Sequence, residues 1–269
     1  MDLAKLEAFI ERALGWGSDF SLAIAVGADG EVGVALLGRV QELVAVLLAQ
    51  PKWSGRVVRV VAVTPWGMFV PGLNALVQLS LDLGCDHLLF SSVETDVSIE
   101  GVSALRQRMT ADTLVVGAAF GDHAFQRGVR SKAGASTTLD TGTTEYYLAG
   151  DTCPWNTLAL WHAPTLALVG FLGVSEGLDV ANNRADGGVE EMAAIAVLQL
   201  MHPRRSRAEL CKVPGLAWDV ASFSSDPARK EWHARKMASK VSRPAAQLAQ
   251  LPGVPPGLVH HADLIGAKT

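Results

Sequence analysis

The chain has little cysteine and little charge. Cys85, Cys153 and Cys211 are its only cysteines in 269 residues. Three are too few for a disulfide scaffold, and the odd number points to reduced thiols and a cytoplasmic setting. Charged residues make up 19% and the formal net charge is −4. A dedicated nucleic-acid binder would be basic over its whole domain, so that class is set aside. The first residues, MDLAKLEAFIERALGWG, carry Asp2, Glu7 and Glu11 and lack the basic-then-apolar pattern of a signal peptide. No apolar run reads as a membrane span. Val32–Gln50 is interrupted by Arg39 and Glu42, and Leu158–Val174 carries His162 and Pro164 and reads as a buried segment. The expectation is a soluble protein.

Common cofactor and nucleophile signatures are also missing. GWGSDF from Gly15 lacks the third glycine of G-x-G-x-x-G and precedes a strand instead of following one. GADGEVG, Gly27–Gly33, has the wrong glycine spacing. No P-loop occurs, so dinucleotide and P-loop phosphate sites are not expected. The absence of G-x-S-x-G counts against a nucleophile-elbow hydrolase. No C-x-x-C or H-E-x-x-H pattern marks a zinc site.

What is present is apolar residue, 49% of the chain, enough for a sizeable core. Strand-like runs at Ser21–Val26, Arg56–Thr64, Asp86–Ser91 and Thr113–Ala119 alternate with helical stretches at Glu31–Gln50, Pro71–Leu83 and Ile99–Met109. Such alternation predicts an α/β fold with a doubly wound, mostly parallel sheet flanked by helices. The pattern breaks at Ala124–Thr144, a polar stretch with Arg127, Arg130 and Lys132 that reads as a functional loop or as disorder. A helix is expected from Gly188 to about Met201, ended by Pro203. Pro203–Arg243 holds ten Lys and Arg against four Asp and Glu, which leaves the rest of the chain at −10. We therefore expect one domain over 1–202 and a basic C-terminal extension over 203–269. The extension, with Trp218 and Trp232, reads either as a solvated surface or as a site for phosphates or peripheral membrane contact.

In open α/β sheets, ligands bind beyond the carboxyl ends of the strands. There the sequence places Asp29, Trp66, Glu94, Asp96 and His123. The most informative segment is Pro71–Val97, PGLNALVQLSLDLGCDHLLFSSVETDV. A helix with Asn74 in its first turn leads into an apolar strand that ends in two acids one residue apart. This segment resembles the nucleotide-sugar-binding core of GT-A fold glycosyltransferases, in particular divergent family-2-like ones. Two later stretches carry the resemblance further: CPWNTLALWHAPTLALVGF, Cys153–Phe171, is similar to the acceptor side, and GGVEEMAAIAVLQL, Gly187–Leu200, is similar to the family's acidic pair at a helix start.

The resemblance implies a GT-A-like fold and transfer of a sugar from a nucleoside-diphosphate sugar to an acceptor hydroxyl, with inversion. It implies Glu191, with Glu190 beside it, as general base. It implies Asp29, Trp66, Asn74, Glu94 and Asp96 on the donor and Trp155 and Asn156 on the acceptor. It also implies Mg²⁺ or Mn²⁺ held by Asp96 and Glu94, a metal that would neutralise the leaving diphosphate. His123 is a candidate third ligand, and His260 and His261 are further imidazoles that could join such a site. Glu94 stands where the family carries Asp. Plainer readings stand beside these: Ser98 as cap of the helix behind the acid pair, Glu190 and Glu191 as acids that suit any helix start, and Trp66 and Trp155 as packing residues. A non-catalytic nucleotide-sugar-binding protein of the same fold and a nucleotidyltransferase are the alternative functions.

Overall fold

A computed structural model describes residues 2–125, 144–176, 178–179, 184–185, 189–218, 231, 240 and 242–265. The expected loop residues Arg127, Arg130 and Lys132, the glycines Gly187 and Gly188, and Trp232 lie outside the described residues. The chain divides into two compact units, Met1–Gly84 and Cys85–Thr269.

The first unit contains α1 (Leu3–Leu14), β1 (Leu22–Gly27), α2 (Gly30–Leu48), β2 (Val58–Val63) and α3 (Phe69–Asp82). Asp2 caps α1 by accepting from the Ala4 and Lys5 amides at 3.0 and 3.4 Å, which satisfies donors that the helix start leaves unpaired. Leu6, Ile10 and Leu14 recur every fourth residue and bury one stripe of α1 against Val26, Val40, Val44, Leu47 and Val58. β1 and β2 pair in parallel, Leu22 beside Val58 and Gly27 beside Val63, as the intervening helix requires. α3 begins two residues earlier than the sequence indicates, with Pro71 inside its first turn and Asn74 in the second. Proline is tolerated there because a first-turn amide has no intrahelical partner.

The second unit follows as β3 (His87–Ser91), β4 (Thr95–Val97), α4 (Ile99–Arg108), β5 (Thr113–Ala118), β6 (Thr144–Tyr147), β7 (Leu158–His162) and α5 (Ala163–Leu166). After these come β8 (Leu178–Asp179), β9 (Arg184–Ala185), α6 (Glu190–Met201), β10 (Arg207–Lys212), β11 (Leu216–Trp218), α7 (Ser242–Leu248) and β12 (Leu258–Asp263). Six strands form one sheet in the order β3-β7-β5-β10-β12-β6. The class is α/β, but the sheet is mixed. β7 enters between β3 and β5 and runs antiparallel to both, and β6 runs antiparallel to β12. This corrects the expected mostly parallel sheet. Strand–helix alternation holds only as far as β5, and strands apolar on both faces do not by themselves announce their direction.

Residues after 202 also enter this sheet. β10 lies between β5 and β12, paired in parallel with each, so residues from that portion complete the sheet. Part of its positive charge is used internally: Arg207 pairs with Glu209 and with Asp112. No helix among the described residues is long and apolar enough to cross a membrane.

Register separates the two faces of the sheet, because partners on adjacent strands share a face. Phe90, Ala159, Gly117, Leu210, His261 and Thr144 form one row. Leu89, Leu160, Val116, Glu209, His260 and Glu145 form the neighbouring row on the other face. Glu209 has no exposed side-chain surface. Arg108 donates to both of its oxygens, at 2.7 and 3.0 Å, and Arg207 donates to Oε1 as well. A buried carboxylate persists only with such partners. Glu209→Ala leaves two guanidiniums facing a buried void and is expected to lower unfolding free energy by about 3–5 kcal/mol. Urea denaturation checks this, and a loss under about 1 kcal/mol, the range of surface pairs, contradicts the assignment.

Candidate functional site

In the first unit the carboxyl ends of β1 and β2 bring Asp29 and Trp66 together. The Trp66 amide donates to Asp29 Oδ2 at 2.7 Å. The Trp66 ring rests on two glycines: a Cβ would come within 2.9 Å of it at Gly27 and 2.7 Å at Gly72. Any side chain at either position displaces the ring, so Trp66 has a packing role whatever else it touches. Asp29 is exposed at the start of α2. Asn74 is half-buried in the second turn of α3.

In the second unit the acid pair sits on the turn from β3 into β4. Glu94 is half-buried in the turn, and Asp96 lies in β4 opposite Ala217 of β11. Strand alternation turns Thr95 and Val97 inward and leaves Asp96 exposed. The turn is fastened to one residue. The Ser92 amide donates to the Thr157 carbonyl at 2.9 Å, and the Thr95 hydroxyl donates to the same carbonyl at 3.0 Å. Ser98 caps α4 as expected, accepting from the Gly101 amide at 3.2 Å.

Asn156, the neighbour of Thr157, meets the second acidic pair. Glu190 and Glu191 open α6. Glu191 is 3% exposed, and its Oε1 accepts from the Asn156 amide. The Asn156 side chain is fixed in turn, because the Trp161 indole donates to its Oδ1 at 2.9 Å. Trp155, 2% exposed, donates to the Gly150 carbonyl at 2.7 Å. The structure therefore joins Glu191, Trp155 and Asn156, and attaches the turn bearing Glu94 and Asp96 to the next residue.

His123 is not part of an ion site. Its Nδ1 accepts from the Phe120 amide at 2.9 Å, and its Nε2 faces the Cys153 carbonyl at 3.0 Å. An amide can only donate and a carbonyl can only accept, so the ring is the neutral Nε2–H tautomer with both nitrogens occupied. It stacks on Trp155 with centroids 3.6 Å apart. Burial, with smaller effects from Lys240 and His261, pushes its pKa down to about 3. This removes His123 from the metal candidates: no lone pair remains for a cation. Among the described residues no group of three or more His, Cys, Asp or Glu is placed to hold a metal. His260 and His261 point to opposite faces of β12, as the register requires. Cys153 is fully buried, and burial together with Glu191 raises its thiol pKa well above the ordinary value, so it is an inert packing group.

Sequence reasoning missed Thr157, Trp161, Phe120 and Lys240. Lys240 Nζ lies 2.9 Å from the Trp155 ring centroid, and a side chain at Gly150 would run into the Lys240 carbonyl. Trp218 on β11 completes an aromatic wall, 5.1 Å from Phe120 and 6.5 Å from Trp155 between centroids. Only Thr157 and Trp161 had a signal available, since both lie inside the segment already singled out.

The buried neutral His123 makes stability depend on pH. The folded state holds this ring deprotonated down to about 3, below the ordinary 6.5. Its contribution is fully present above about pH 6.5 and is lost as pH falls toward the folded value, by about 1.4 kcal/mol per unit for one proton. His123→Phe is expected to flatten the stability–pH slope by one proton between about pH 6 and about pH 4. Urea midpoints across that range measure it, and an unchanged slope contradicts the assigned neutral state. Family models and curated proteins yield no match to this chain, so its function is argued from the chemistry of the site.

Proposed function

We propose that the chain is a GT-A-type glycosyltransferase that moves a sugar from a nucleoside-diphosphate sugar to an acceptor hydroxyl with inversion. One observation carries the reading. Residues 156 and 157 reach both acidic regions: the Asn156 amide donates to Glu191, and the Thr157 carbonyl accepts from Ser92 and Thr95 of the segment bearing Glu94 and Asp96. A base for the attacking hydroxyl and carboxylates for the leaving-group side must be set at a fixed separation. Two consecutive residues in one chain segment supply such a spacer.

In this reading Glu191 is the base. The buried carboxylate, aimed by the Asn156 amide, takes the acceptor proton as the acceptor oxygen attacks the anomeric carbon and the bond to the diphosphate breaks. Glu190 adds negative charge at the same helix start. Asp96 and Glu94 fit a divalent cation of the kind that is held by one or two carboxylates and completed by substrate phosphates. Bound there, Mg²⁺ or Mn²⁺ would neutralise the leaving diphosphate.

Glu191→Gln keeps the size and the amide contact but removes the base. Transfer is expected to fall by about 10²–10⁴-fold, with sugar-nucleotide affinity by calorimetry within about twofold of the parent. Undiminished transfer removes Glu191 from the role. Asp96→Asn is expected to weaken sugar-nucleotide binding in Mn²⁺ and leave it unchanged in chelator, since the lost charge faces the cation. Sugar-nucleotide binding without transfer or donor hydrolysis by the parent protein marks the non-catalytic alternative.

A further inference from the structure

Helix α2 is apolar toward solvent as well as toward the core. Val40, Val44 and Leu47 are buried, and a surface helix ordinarily sets charged and polar residues opposite such a stripe. Here the outer side exposes Val32 at 84%, Val34 at 58% and Val46 at 61%, together with Ala35, Gly38 and Ala45. Glycine inside a helix is destabilising relative to alanine, yet the space that a Cβ would take at Gly38 is open. The fold itself gives no reason to leave that position bare. Exposed Val32, Ala35, Arg39, Glu42 and Val46 fall into one seam, and exposed Ala49, the C-cap residue, extends it. The steps alternate between three and four residues, the 3.5-residue repeat with which two helices pack along their lengths.

We propose that this seam joins two copies of the chain, with their α2 helices antiparallel about a two-fold axis. The inference goes beyond the glycosyltransfer reading and does not depend on it. The charges choose the arrangement. A parallel pair would set Arg39 against Arg39 and Glu42 against Glu42 of the second copy. One antiparallel register sets Arg39 against Glu42 of the second copy, and the two-fold axis then sets Glu42 against its Arg39. The registers one step to either side press both charges onto Ala and Val and take water from them without a partner. In the favoured register the outer layers also match by size. Ala35 lies opposite Val46 of the second copy and Val32 opposite its Ala49, and symmetry repeats both contacts. Gly38 and Ala45, small residues along one border of the seam, let the two helices approach closely. A lipid surface suits this face less well, because the charges fall in the middle of its apolar stripe.

The test is the oligomeric state of the full chain by sedimentation velocity, read for the parent and for charge swaps at these exposed positions. The parent is expected to form a dimer that weakens as salt is raised. Arg39→Glu and Glu42→Arg each set like charges against one another twice in a homodimer, and each is expected to weaken it at least about tenfold. An equimolar mixture of the two variants is expected to recover the dimer, because one variant carries acids at both central positions and the other carries bases. The double swap in one chain restores both pairs and is expected to be dimeric like the parent. A monomeric parent overturns the proposal and leaves the face to another protein or to a lipid surface. A dimer that survives either single swap overturns it too, since such a dimer forms through another face. So do two monomeric variants that fail to recover on mixing. If circular dichroism shows that a single swap does not fold, the double swap decides, and a monomeric double swap beside a dimeric parent counts against the seam.

Discussion

The close approach of Pro154 to Gly117 is the constraint on which the candidate site depends. Gly117 lies near the end of β5, where a strand ordinarily carries a side chain to pack. Here a Cβ would come within 2.5 Å of the Pro154 Cβ. Its absence lets Pro154 approach the strand two residues before Asn156 meets Glu191 and three before Thr157 meets the β3–β4 turn. Trp155 inherits its position from the same contact and closes on His123 and the Gly150 carbonyl. A site made of three distant sequence segments thus depends on the space left by one glycine.

The two faces of the sheet treat polar groups differently. On the face opposite the 150–157 segment, the Glu209 carboxylate accepts from two arginines and is fully engaged. On the face that carries the segment, His261 is 4% exposed and lies between the rings of Tyr146 and Phe125, at centroid distances of 4.1 and 5.0 Å. Burial pushes its pKa down to about 4, against a smaller opposing effect of the Thr152 backbone. The difference follows from what occupies each side: α4 brings Arg108 to Glu209, whereas the segment above Gly117 brings mainly aromatic rings and backbone carbonyls.

Much of the local structure was readable from the residues. The valine-rich run before Thr64 became β2, and the apolar run after Thr113 became β5, because their patterns report burial directly. The resemblance gave Glu191 and the Trp155–Asn156 segment separate roles, and the hydrogen bond from the Asn156 amide to Glu191 was not readable from the residues. Strand direction was not readable: Leu158–His162 is as apolar as a central parallel strand, yet it runs antiparallel between β3 and β5. Nor was the fate of the basic C-terminal portion. Charge counted along a sequence does not reveal that Arg207 is turned toward Asp112 and Glu209. His123 misled for a related reason. A histidine after an acid at a strand end has the composition of a ligand, but its role was settled by an amide three residues away and a carbonyl thirty residues away.

With both imidazole nitrogens spent on backbone groups, His123 holds Phe120 and Cys153 in place and supports Trp155 by stacking. It is a strut for the segment that carries Asn156. Asp96 is exposed on β4, whereas Glu191 is 3% exposed and accepts from the Asn156 amide. Two acids, Asp96 and Glu191, are thus set in opposite environments, one wet and one dry. In the proposed glycosyltransfer, coordination of a hydrated cation would use the first and proton removal from a bound hydroxyl the second.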